Sequence, residues 1–141
     1  MKAYQWPSQS LLIIPSAVFE ATATGPFHVD AVFSQDDGFS WNSRIRVYTA
    51  ANNAEAGAPY VINVGGTLIV DFMSNEAGGG PGVDGGEMKA VTSTDGGRTW
   101  GPATVIGGLP SHWPGMYALD DRTFLALYGG PRGLVSHRWS I

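Results

Sequence analysis

An eight-residue pattern that occurs twice, Ser-x-Asp-x-Gly-x-Ser/Thr-Trp, constrains this chain more than any other feature. It reads S-Q-D-D-G-F-S-W at 34–41 and S-T-D-G-G-R-T-W at 93–100. Each position suits a tight hairpin turn. Ser34 and Ser93 open the pattern, and Asp36 and Asp95 are spaced to accept hydrogen bonds from backbone N–H groups of the turn. Gly38 and Gly97 supply positive φ without steric cost. Trp41 and Trp100 offer a large ring for burial against the hairpin. A chain that makes this turn twice is committed to antiparallel strands.

The flanking segments repeat as well. Ahead of the first pattern, Ala17–Thr22 and Phe27–Ser34 read as strands, and Arg44–Thr49 follows it. Ahead of the second, Tyr60–Val64 and Thr67–Ser74 flank Gly65-Gly66, a strong hairpin signal. Glu87–Ser93 leads into that pattern and Ala103–Ile106 leaves it. A third unit runs from Met116–Leu119 through a turn at Asp120-Asp121 to Thr123–Tyr128 and Gly133–Trp139, without the pattern or a fourth strand. The expectation is an all-β fold in one domain, 1–141, built of four-stranded meanders at approximately 8–50, 58–108 and 113–141. Repeated meanders of this kind are propeller blades. About two and a half to three are present, whereas a propeller typically closes with about four to eight. The ring is therefore expected to need further blades or a second copy of the chain.

Composition agrees with this and excludes several functions. Twenty glycines and nine prolines fall between short apolar runs, and 43% hydrophobic against 14% charged residues gives enough apolar surface for a packed core. A net charge of −4 with scattered Lys and Arg leaves no basic footprint for nucleic acid or a membrane surface. There is no cysteine, so disulfides and thiolate metal sites are excluded. His28 and His137 are isolated within expected strands, so no metal site is expected. The glycine-rich stretch 77–86 lacks the Lys-Ser/Thr of a phosphate loop, and no cofactor is expected. The aliphatic run Leu11–Ile14 is too short for a signal segment or a membrane span, so secretion is not readable from these residues.

The twin pattern resembles the Asp-box (BNR) repeat of sialidase-like propellers. Further stretches, A-V-F-E-A-T (17–22), A-G-A-P-Y-V-I-N-V-G-G-T-L-I-V-D-F-M-S-N-E (56–76) and W-P-G-M-Y-A-L-D…F-L-A-L-Y-G (113–129), resemble the C-terminal portion of fungal glycoside hydrolase family 93. That resemblance implies a partial six-bladed β-propeller from a secreted, exo-acting 1,5-α-L-arabinanase. It also implies retaining chemistry, in which one carboxylate attacks the anomeric carbon while a second, about 5–5.5 Å away, serves as acid and base. Glu20 looks like the family's nucleophile. The second carboxylate would come from an earlier blade, so the chain is expected to be inactive alone.

The strand order sends the search for chemistry to one end of the fold. The repeated turns join the third and fourth strands of their units, so they are expected to be structural staples at one end. The opposite end should collect Glu20, Glu76, loop 77–86, His112–Tyr117 and Gly129–Arg132. Setting Phe19 against Phe72 and Tyr128 puts Glu20 opposite Met73 and Gly129, so an acid is not required by the blade position. Glu20 is either a catalytic carboxylate or a strand-end acid that is paired or solvated. Tyr117 either donates to the nucleophile, as the resemblance implies, or fills the central channel. Glu76 is a second-carboxylate candidate or a solvated loop acid. Trp113 and His112 can line a sugar subsite, Trp113 equally a packing site, and Arg132 can reach substrate from its loop. Arg44, Arg46, Arg98, Arg122, Arg132 and Arg138 show no spacing of an arginine triad, which favours a neutral sugar over sialic acid. The leading expectation is an oligo- or polysaccharide hydrolase fragment. A sialidase fragment, or a non-catalytic module that binds carbohydrate or protein, stands as the alternative.

Overall fold

The computed structural model describes residues 4–6, 11–18, 27–78 and 83–141. Among these there is no helix, and eleven strands form three antiparallel sheets. The first sheet runs β1 (Tyr4–Trp6), β2 (Leu11–Val18), β3 (His28–Ser34) and β4 (Asn42–Tyr48). The second runs β5 (Ala56–Val64), β6 (Thr67–Ser74), β7 (Glu87–Ser93) and β8 (Thr104–Gly107). The third has only β9 (His112–Ala118), β10 (Thr123–Gly130) and β11 (Gly133–Ser140). Chain neighbours are hydrogen-bonding neighbours throughout, so each sheet is an up-and-down meander, consistent with a partial propeller.

The middle sheet explains its own sequence. In T-L-I-V-D-F-M-S every residue after Thr67 is buried, because both faces of β6 are covered. Leu68, Val70 and Phe72 join Val29, Ala31, Phe33 and Val47 in a core between the first and second sheets. Ile69 joins Ile62, Ala90, Met116, Phe124 and Tyr128 in a core between the second and third. Period-two alternation thus feeds two cores from one strand. Each fully buried side chain of this size contributes roughly 1.5–3 kcal/mol.

Two expectations are corrected. The strand expected at Ala17–Thr22 is β2, Leu11–Val18; residues 19–26 lie outside the described residues. Pro15 lies within β2, opposite Ala31 of β3. The cross-sheet alignment moves with it. Leu12 faces Ser34 as Leu68 faces Ser93, and neither ladder shifts register. Ser16, not Phe19, is therefore the counterpart of Phe72. The third unit also starts earlier than Met116, because β9 begins at His112 and takes Pro114 into an edge strand, where proline is tolerated.

The repeated turns share one hydrogen-bond network. Ser34 Oγ donates to Asp36 Oδ1 at 2.8 Å and accepts Gly38 N–H at 2.8 Å. Asp36 in turn accepts Ser40 N–H at 2.8 Å and Ser40 Oγ–H at 2.5 Å. Ser93, Asp95, Gly97 and Thr99 repeat these four bonds at 2.6–2.9 Å. Gly38 and Gly97 carry φ of 93° and 85°. The Ser40 bonds pull Asp36 down to about 2, and the Thr99 bonds lower Asp95 further. The two tryptophans differ. Trp100 packs on the first core, whereas Trp41 is 38% exposed. The meander repeats, so Trp41 belongs to the face of the first sheet that turns away from the second.

Candidate functional site

Strand alternation sorts the loops between two ends. The repeated turns lie at one end with Gly65-Gly66 and the Asp120 turn, where Asp120 accepts Arg122 and Thr123 N–H at 2.8 Å each. The opposite rim carries residues 49–55, the β6–β7 loop, residues 108–111 and the Pro131-Arg132 hairpin. A cavity of about 390 Å³ opens at the turn end, lined by Phe33, Gln35, Ser43, Ile45, Gly96 and Arg98. Its one titratable lining group is Arg98, so it offers no acid–base pair. The chemistry gathers on the rim.

There His112 and Trp113 open β9. His112 Nδ1 stands 2.7 Å from an Asp84 carboxylate oxygen. The backbone sets up this pair: Gly85 N–H donates to Ser111 O at 3.1 Å, and Ser111 N–H to Gly86 O at 2.9 Å, stitching the β6–β7 loop to the start of β9. A Cβ on Gly129 would come within 3.2 Å of His112 Cβ, so glycine there makes room for the imidazole. Trp113 is 73% exposed and has φ of 45°. A bulky residue in the left-handed region costs on the order of 1–3 kcal/mol, and such strain concentrates at functional sites. Arg132 is exposed at the tip of the neighbouring hairpin.

Glu76 has a different character from a solvated loop acid. It is largely buried and accepts hydrogen bonds from Lys89 Nζ, from Ala51 N–H and from Tyr48 Oη–H, the last at 2.6 Å. Burial alone would raise its affinity for a proton, but Lys89 and Tyr48 hold it below the ordinary range. Lys89 is raised because Glu76 and Tyr48 outweigh its own desolvation. Burial, then the Glu76 acceptor, push the Tyr48 phenol up, so it is no activated nucleophile. Tyr48 also stacks on Phe72 with centroids 4.6 Å apart. The group ties β4 of the first sheet to β6 and β7 of the second.

Tyr117 is corrected in position. It is the penultimate residue of β9, paired with Leu125, at the turn end of the strand and not at the rim. It stands five residue steps along the strand from His112, roughly 16 Å. It is 64% exposed. Glu20 lies outside the described residues.

Two groupings escaped the sequence reading. Asp30, buried on β3, binds both Arg44 Nε and Arg46 Nε, the latter at 2.6 Å, with His28 Nε2 at 3.3 Å. Burial opposes its charge, yet the arginine bonds hold its proton affinity down. Arg44 and Arg46 lie on the outermost strand, and their alternate spacing opposite Asp30 was the available signal. Asp71 is the other. It is fully buried in β6 between Tyr60 and Ala90, and among the described residues no side chain hydrogen-bonds its carboxylate. Burial pushes its proton affinity well above the ordinary range. An acid in an otherwise apolar run marked it. Among the described residues, no three His, Asp or Glu side chains converge to hold a metal.

No known family model matches the sequence, and no curated protein does. Solved structures do match. A protein of unknown function from Dyadobacter fermentans is 17% identical with a TM-score of 0.76, over 98% of this chain and 36% of that one. The α-L-arabinanase of Penicillium chrysogenum, complexed with arabinobiose, is 16% identical with a TM-score of 0.70, over 99% of this chain and 45% of that one. The family 93 α-L-arabinofuranosidase of Fusarium graminearum, also with arabinobiose, is 13% identical with a TM-score of 0.68, over 92% and 40%. Sialidases are among the further matches. The chain spans less than half the length of these proteins, and at such identities what it shares with arabinanases and sialidases is their fold.

Proposed function

We propose that this chain is part of a six-bladed Asp-box propeller, with blades at about 8–50, 58–108 and 113–141, belonging to a secreted glycoside hydrolase that acts on arabinan or a similar neutral polysaccharide. The observation that carries this reading is the rim opposite the repeated turns, where an exposed, backbone-strained Trp113 adjoins the His112–Asp84 pair. An aromatic face packs on sugar C–H surfaces, and flanking polar groups fix the orientation of the ring. Arg132 is a further contact from the same rim. The fold of the arabinobiose-binding neighbours supports a carbohydrate ligand.

Glu20 stays the proposed nucleophile. The corrected register, counted on from Val18 and Ser74, sets Glu20 against Glu76 in sequence. For Tyr117 the turn-end position favours an aromatic that fills the channel over a donor to the nucleophile, and Glu76, already bonded, recedes as a second carboxylate. The partner acid would come from outside this chain, which alone is expected to be inactive. Two experiments test the proposal. Arabinobiose should bind the chain and be lost in Trp113→Ala; preference for a sialylated sugar would move the reading to a sialidase. A protein containing the chain should hydrolyse linear 1,5-arabinan and lose this in Glu20→Gln. Normal turnover by that variant would remove Glu20 from the mechanism.

A further inference from the structure

We propose that Asp84 is a positioning residue that fixes His112 as a hydrogen-bond acceptor for a sugar hydroxyl at the Trp113 site. The inference rests on the carbohydrate reading above and adds a specificity element to it. A carboxylate can only accept, so the 2.7 Å contact with Asp84 puts a proton on His112 Nδ1. In the neutral ring Nε2 is then the acceptor. No hydrogen bond joins Nε2 to any described residue, and the side chain is 39% exposed, so a ligand can reach it. The pair is fixed from both sides. Gly85 and Gly86 are tied by backbone bonds to Ser111, and the glycine at 129 leaves space for the ring. Asp84 and His112 come from different sheets, so their meeting is a product of the fold and not of local sequence. The neighbouring Trp113 is the second, independent sign of a site, for its ring is exposed at a backbone geometry that solvent exposure alone does not explain. An acceptor beside an aromatic platform suits a hydroxyl-bearing neutral sugar. A carboxylated sugar would bring its own negative charge towards Asp84.

The test combines long-range ¹⁵N–¹H NMR of the histidine side chains with arabinobiose titration. In the wild type, His112 should show the Nδ1–H tautomer. Asp84→Asn should shift the tautomer towards Nε2–H and weaken arabinobiose binding roughly tenfold. Asp84→Glu should restore the tautomer and part of the affinity, while Trp113→Ala should abolish binding and leave the tautomer alone. A wild-type Nε2–H tautomer would overturn the inference while leaving the carbohydrate reading intact. So would undiminished binding in Asp84→Asn. No arabinobiose binding by the wild type would overturn both, with the tautomer then showing whether the dyad itself had been read correctly.

Discussion

At the residue scale, Asp71 sets the clearest physical demand. Its carboxyl group is fully buried between Tyr60 and Ala90, and burial pushes its proton affinity well above the ordinary range, although the Asp71 and Tyr60 backbone N–H groups pull the other way. The unfolded chain releases that proton in the ordinary carboxylate range. Above that range the unfolded state binds fewer protons, and stability falls as pH rises until the native group itself ionises. Each pH unit costs up to about 1.4 kcal/mol over that interval. Thermal melts of Asp71→Asn and wild type should nearly coincide near pH 4 and separate as pH rises above the ordinary carboxylate range, with the variant melting higher. Parallel curves would mean that Asp71 has found a partner. The residue is legible in sequence as an acid inside an apolar strand. Glu76 is not legible in the same way, because Tyr48 lies 28 residues earlier and Lys89 13 later. Only the packing of two sheets brings these three together.

At the element scale, equal motifs do unequal work. Trp41 and Trp100 occupy the same place in the repeated turn, and the two turns make the same bonds. Trp100 has the first core beneath it, whereas Trp41 faces outward. In this chain Trp100→Ala should cost about 2–4 kcal/mol and Trp41→Ala under about 1 kcal/mol, read from urea midpoints. Equal losses would show Trp41 to be covered. The turns were legible because their bonds are local, closing within a few residues. The start of β2 was not, since it is set by pairing with β3, from Leu12 opposite Ser34 to Val18 opposite His28, and not by the strand's own pattern. Trp113-Pro114-Gly115 was obscured likewise, for its strand character depends on β10 pairing with a β-bulge between Leu127 and Gly129.

At the scale of the whole molecule, each sheet of a propeller is covered on both faces by its neighbours, and among the described residues only β6's sheet meets that condition. The third sheet turns Leu134, 80% exposed, and Tyr117 away from the second, and it has three strands where the others have four. An apolar sheet face of this kind, next to an unpaired edge at β11, is a surface that seeks a partner. The structural neighbours run to more than twice this length. Two copies of this chain can cover that face for each other. The chain alone should therefore elute from a sizing column as a dimer or larger, with its mass confirmed by light scattering. Leu134→Lys combined with Tyr117→Lys should move it towards monomer, because two buried charges oppose the association at its centre. A compact wild-type monomer at micromolar concentration would mean that the outer faces of the first and third sheets tolerate water. The incomplete ring would then be a stable unit in itself.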